Sequence, residues 1–326
     1  MSAPASFSMP KRSLTWLITG CSSGFGLELV RIAQANGHFV IATSRNPSRT
    51  PELVSEVEGK GGKWVRLDVD DPNSAQVIDD IEKQGPAIDV LVNNAGFGLY
   101  GASEQFTEEE VHRQFETVFF GAYRLTRTAV RHMRQRRFGV VVDISSASAI
   151  RPVTTMGIYG AAKAALESVH KTLAREVAEF NIRFLTVNPG IFNTPSKQNL
   201  TVPTVISQPP KTGQETVLEE AVLLLDWSWS LQYQTQPLVE DYEKGPVGDT
   251  LNRLKAHSVP VDGDTKKGIK AIYEVIVCEG VGEGHEAEPV LPLGRDASRL
   301  VAANIAQWQH TIEVFGGVCN NVYVDQ

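Results

Sequence analysis

The chain has 326 residues, 42% of them hydrophobic and 21% charged, an ordinary soluble composition long enough for one large α/β domain or two small ones. A formal net charge of −7 and a pI of about 5.6 argue against a nucleic-acid surface. Three cysteines without paired spacing, no run of the roughly 18–20 apolar residues a membrane span requires, and a Ser/Pro-rich start without a signal peptide's apolar core point to a reduced, cytoplasmic setting.

Residues 1–13 read as a disordered segment. Beyond them short β-rich runs alternate with helical patterns, the mark of a parallel sheet with helices on its faces. Strands are expected at Leu14–Thr19, Phe39–Thr43, Lys63–Leu67, Asp89–Asn93, Gly139–Ser145 and Ile182–Asn188. Helices are expected between them near 24–35, 51–58, 73–84, 107–135 and 156–179. The fourth carries Val111, Phe115, Val118, Phe119, Ala122, Leu125, Ala129 and Met133 at helical period. Its basic end, Arg131 to Arg137, reads as a solvated helix terminus where cations are favourable. After Pro195 the pattern weakens, and 196–263 reads as a substrate-side insertion or lid, or as an interface, with the patch Ala221–Trp229 lining a pocket, forming a subunit interface or, at Leu223–Leu225, belonging to plain core. A helix over 264–278, a strand near Pro289–Leu293 and a helix near 297–314 then complete a single domain spanning 14–326.

Three patterns carry chemistry. Thr19-Gly-Cys-Ser-Ser-Gly-Phe-Gly26 follows the first strand and opens the first helix, where glycines let backbone N–H groups approach a pyrophosphate. A tight strand–helix turn without a ligand would use the same glycines. At the end of the second strand Ser44 and Arg45 stand where an NAD site usually places a carboxylate, and an arginine there accommodates a 2′-phosphate. Tyr159 and Lys163 lie at i and i+4 on an inward helix face, where an ammonium beside a phenol favours phenolate and suits the tyrosine to proton transfer. The histidines form no tight cluster, so no metal is expected.

With the glycine turn, Asn93-Asn-Ala-Gly96, Ser146, Tyr159/Lys163 and Pro189-Gly190 in this order, the chain resembles the short-chain dehydrogenase/reductase family, closely over 14–195. Asp262-Gly-Asp-Thr-Lys-Lys267 and Leu291-Pro-Leu-Gly-Arg-Asp296 are similar to the retinol- and hydroxysteroid-dehydrogenase branch. The resemblance implies a Rossmann-like, doubly wound seven-stranded parallel sheet with helices on both faces and a C-terminal extension. It implies an NADP(H) cofactor held by Thr19, Gly20, Ser22, Ser23, Gly24, Phe25 and Gly26, by Ser44 and Arg45, and by Asp68 and Val69 at the adenine. Asn94, Ala95 and Gly96 would flank it, and Pro189, Gly190, Ile191 and Thr194 would hold the nicotinamide amide.

Ser146, thirteen positions before Tyr159, is implied as the oxyanion partner, Tyr159 as the acid/base, and Lys163 as the group that lowers the Tyr159 pKa and binds the ribose. The substrate would be a small-molecule carbonyl or alcohol, lipophilic and larger than a simple aldehyde if Phe97, Tyr100, Ile191, Phe192, Trp227 and Trp229 line its pocket. A homodimer stays open. One departure stands out: Glu116-Thr-Val-Phe-Phe-Gly121 places Val118 where the family has an asparagine that holds a proton-relay water. A second reading follows from it, an NADP(H)-binding protein with little redox turnover that guides a non-redox step or serves a partner.

Overall fold

The computed structural model describes residues 7–192, 231–233, 235–256, 263–319 and 322. In chain order the strands are β1 (Thr15–Ile18), β2 (Phe39–Ser44), β3 (Lys63–Arg66), β4 (Val90–Asn93), β5 (Gly98–Tyr100), β6 (Gly139–Ile144), β7 (Ile182–Pro189), β8 (Leu231–Tyr233) and β9 (Val290–Leu293). The helices that position the site are α1 (Gly24–Ala35), α2 (Pro51–Gly59), α3 (Gln76–Gln84), α4 (Glu108–Phe115), α5 (Ala122–Arg136), α6 (Ala147–Ile150) and α7 (Gly157–Glu176). Then come α8 (Glu240–Glu243), α9 (Pro246–Lys255), α10 (Thr265–Val277) and α11 (Arg295–Cys319).

Seven strands form one parallel sheet in the order β3-β2-β1-β4-β6-β7-β9. The central strands are buried on both faces, so they read as continuous apolar runs. Alternation assigns successive residues to opposite layers. Trp16, Ile18, Val90 and Val92 pack with Phe25 and Leu29 of α1 and Ile272 and Ile276 of α10. Leu17, Leu91 and Val141 pack with Ile78 of α3 and Leu125, Ala129 and Met133 of α5. The strand order reverses between β1 and β4, and the crevice beyond their carboxyl ends is where open α/β sheets bind ligands.

The expected seven-stranded doubly wound sheet is the one observed. The expected helix over 107–135 is instead α4 and α5 joined by a π-helical stretch, Glu116–Gly121. A capping box starts α4: the Thr107 side chain accepts from the Glu110 N–H while Glu110 accepts from the Thr107 N–H. Within the region read as an insertion, β8 pairs in parallel with β5, and α8 and α9 follow. The patch Ala221–Trp229 lies outside the described residues.

The N-terminal segment departs from the expected disorder from Phe7 onward. Phe7 and Met9 pack against the core, Phe7 stacks on Phe138 at 6.1 Å, and Ser8 exchanges two hydrogen bonds with Asn181. Arg12 grips the buried carboxylate of Asp89 at 2.7 and 2.8 Å. Polar neighbours in sequence masked these anchors, because a lone Phe and a lone Met carry no periodicity.

Candidate active site

At the carboxyl end of β1 the chain turns from Thr19 to Ser23 and enters α1. Gly20 has φ +70, and a Cβ there would lie 2.9 Å from the Ala95 backbone; one at Gly26 would lie 2.5 Å from the Gly20 carbonyl oxygen. Both positions therefore require glycine. The Thr19 hydroxyl accepts from the backbone N–H groups of Asn94 and Ala95, each at 2.9 Å, and the Asn94 amide donates to the carbonyls of Thr19 (2.8 Å) and Gly20 (3.1 Å). These bonds clamp the turn after β1 to the turn after β4. The first turn of α1 carries no acidic residue, which leaves the positive end of its dipole available to an anion.

From this clamp a cavity of roughly 260 Å³ runs to the end of β2. Of the expected cofactor residues, Gly20, Ser22, Ser44, Arg45, Val69, Ala95 and Gly96 line it. Charged residues that sequence reading missed line it as well: Arg49, Arg113 and Asp70. Arg49 closes a 3₁₀ turn after β2, and Arg113 of α4 lies over the Phe97 ring at 5.5 Å. Asp68 does not form this wall. Its carboxylate accepts from the Asp70 N–H at 3.2 Å, while Leu67, Val69 and Asp70 face the cavity. Burial pushes the Asp70 carboxyl up, with the Thr117 hydroxyl opposing. The cavity wall thus carries three guanidinium groups and the Asp70 carboxyl, on which Arg45 acts as an opposing positive charge.

Ser146 caps α6 directly after β6, its hydroxyl accepting from the Ser148 N–H (3.2 Å) and bonded to the Ser148 hydroxyl (2.9 Å). Tyr159 and Lys163 stand on the buried face of α7, 4% and 3% exposed. The Lys163 ammonium donates to the Ile144 carbonyl at 2.7 Å and lies 5.9 Å from the Tyr159 ring centre. A Cβ at Gly96 would be 3.7 Å from the Lys163 Nζ and 3.6 Å from Val118, so the cavity wall and the α7 pair meet there. Val118 is 1% exposed within the π-helical stretch.

One expectation needs correction. Burial pushes the Tyr159 phenol well above its ordinary value, and the group opposing this is Ser146, not Lys163. Lys163 is itself pushed down to about 8 by burial, with the charges of Asp143 and Glu167 pulling the other way. Desolvation outweighs the ammonium's field on this face.

At the end of β7 the Gly190 N–H donates to the Leu293 carbonyl at 2.9 Å and the Ile191 N–H to the Asp296 carboxylate at 2.6 Å. Pro189, Gly190 and Ile191 thus sit at the carboxyl edge of the sheet with β1 and β6. Phe192 packs edge-on to Phe25 of α1 at 5.4 Å, which ties that edge to the glycine turn. Thr194, Trp227 and Trp229 lie outside the described residues.

The family model described as short chain dehydrogenase matches residues 15–203. The chain belongs to that family. It is similar to a Passalora fulva protein called oxidoreductase claN, 39% identical over 211 residues that cover 64% of this chain and 96% of that one. It is also similar to retinol dehydrogenase 8 of Homo sapiens, 37% identical over 210 residues, covering 62% of this chain and 67% of that one. A solved short-chain dehydrogenase from Streptomyces avermitilis superposes with a TM-score of 0.77 at 29% identity, covering 95% of this chain and all of that one. As a short-chain dehydrogenase with retinol dehydrogenase-like sequence, the protein is an oxidoreductase of the NAD(P)-dependent kind.

Beneath the pair on α7 this short-chain dehydrogenase carries a buried polar network that sequence reading did not single out. Asp143 of β6 contacts His170 and accepts from Asn93, and Glu167 accepts from Ser145 and Asn188. The spacing Lys163-x3-Glu167-x3-Lys171 was the available signal, three charges on one helix face.

Proposed function

We propose that the protein is an NADPH-dependent reductase of a lipophilic ketone or aldehyde, with Tyr159 as the proton donor. The observation that carries the cofactor choice is the pair Arg45 and Arg49, which follow β2 and line the cavity where a 2′-phosphate would be held, with Arg113 of α4 on the same cavity wall. The glycine turn suits a pyrophosphate, since Gly20 and Gly26 let the turn pack against Ala95 and the Gly20 carbonyl and bring the N-terminus of α1, which has no acidic residue in its first turn, to the cavity. When bound, the nicotinamide supplies the hydride that converts a carbonyl carbon to a carbinol. Ser146 hydrogen-bonds the substrate oxygen as negative charge develops on it. The Tyr159 hydroxyl, kept protonated by burial, delivers the proton to that oxygen, and Lys163 supplies positive charge beside the resulting phenolate. The lipophilic class rests on the likeness to retinol dehydrogenase 8 and on Phe97 and Phe192 near the site.

The test is incubation with NADPH deuterated at C4 and a panel of lipophilic ketones and aldehydes, with NADH in parallel. The expected result is an alcohol carrying deuterium at the carbinol carbon, formed faster with NADPH. Tight NADPH binding with no alcohol from any carbonyl would favour the second reading, a binding protein without redox turnover, which Val118 motivates.

A further inference from the structure

Glu167 is a buried carboxylate, 6% exposed at its side chain, one helical turn beyond Lys163. Its bonds converge on the strand end that carries the candidate catalytic groups. Oε1 accepts from the Ser145 hydroxyl at 2.6 Å and from the Asn188 amide at 2.5 Å. The same Asn188 amide donates to the Ser146 carbonyl at 3.0 Å, and the Ile144 carbonyl beside Ser145 accepts from the Lys163 ammonium. One carboxylate therefore holds the Ser145 side chain directly and the Ser146 carbonyl through Asn188, on the strand end whose Ile144 carbonyl anchors Lys163. Its other oxygen accepts from Lys171 at 3.1 Å, whose side chain is half exposed. The other groups facing this pair are Asp143 of β6 with its partner His170, the neutral Asn188 of β7, Tyr159, and the apolar Val118 of the π-helical stretch.

We propose that Glu167 is a positioning residue for the catalytic set, its carboxylate anchoring the Ile144–Ser146 strand end and stabilising the Lys163 ammonium, with Lys171 setting how much of that negative charge Lys163 feels. Val118 cannot hydrogen-bond, and the charges that oppose the burial of the Lys163 ammonium are those of Asp143 and Glu167. The inference rests on the reductase reading for its catalytic meaning, but its electrostatic content is measurable without turnover.

The experiment is an NMR titration of the lysine side-chain amines in the full chain, with Lys163 assigned by its loss in Lys163→Met. The wild-type Lys163 midpoint is expected near 8. Glu167→Gln keeps the shape and removes the charge, and should move that midpoint down by about 0.5–1 in pH. Lys171→Gln removes a cation that offsets Glu167, and should move it up. The alkaline limb of kcat should shift in the same two directions. An unchanged midpoint in both variants, or movement in one common direction, overturns the proposal, because a merely structural role predicts no opposed shifts. Should Glu167→Gln fail to fold by thermal melt, Lys171→Gln decides alone: a raised midpoint supports the proposal and an unchanged or lowered one overturns it. Opposed shifts in a protein that reduces no carbonyl would sink the reductase reading and leave this one standing. Normal reduction with no shifts would do the reverse.

Discussion

Arg45 and Arg49 lie four positions apart yet face one cavity, because the 3₁₀ turn Pro47–Arg49 folds the chain back after β2. If the pair holds a 2′-phosphate, removing one guanidinium costs a charge-assisted bond of about 1.5–3 kcal/mol. Arg45→Ala should therefore raise the KM for NADPH by about 10- to 100-fold and leave the KM for NADH nearly unchanged. Steady-state kinetics with the two cofactors checks this, and equal losses for both would show that Arg45 supports folding rather than phosphate recognition. Arg45 was legible from sequence because a strand end has a known address relative to the cofactor. Arg49, Arg113 and Asp70 were not, because their arrival depends on a turn, a helix and a loop meeting in space. The same limit explains Tyr159: spacing shows an ammonium nearby, but the degree of burial that decides the phenol's pKa is a tertiary property.

At the scale of elements, α1 and α2 are joined across one face of the sheet by Arg31 and Glu56, paired through two bonds of 2.9 and 2.7 Å, with Lys60 adding a third contact to Glu56. The Arg31 hydrogen bonds hold the Glu56 carboxyl down to about 2 from the usual carboxylate range. A depressed carboxyl contributes stability that is full above its unfolded value, near 4.5, and is lost as pH falls through the folded value near 2. Glu56→Gln should then lower stability near neutral pH by about 1 kcal/mol, a figure kept small because the pair is partly exposed and screened. Denaturant unfolding of both proteins should show that difference shrinking between pH 4.5 and 2, and a difference independent of pH would contradict the assignment. The elements themselves were read well where periodicity was long. Strands such as β6 show a continuous apolar run between turn residues, and helices such as α7 show their period over enough residues to be recognised. The pairing of β5 with β8 was hidden, since strands of three residues, far apart in the chain, carry no period to read. The π-helical stretch was hidden too, because its residues continue the apolar stripe of the helix around it.

Across the whole molecule, the sheet gathers at one edge groups that are far apart in sequence. Thr19 and Asn94 clamp the reversal point between β1 and β4, Ser146 follows β6, Gly190 follows β7, and α7 lays Tyr159 and Lys163 beside them. The described helices include none long and apolar enough to cross a membrane. On the reading proposed above, the domain is a scaffold that holds a dinucleotide along its carboxyl edge with the buried Tyr159 phenol at the reacting end. Tyr159→Phe tests that claim most directly, because it removes one hydroxyl from a buried ring and leaves the cofactor cavity intact. With NADPH and a carbonyl that the wild type reduces, kcat should fall by about 100-fold or more while the dissociation constant for NADPH stays within a few-fold. Undiminished turnover in a folded, NADPH-binding Tyr159→Phe protein would contradict the account.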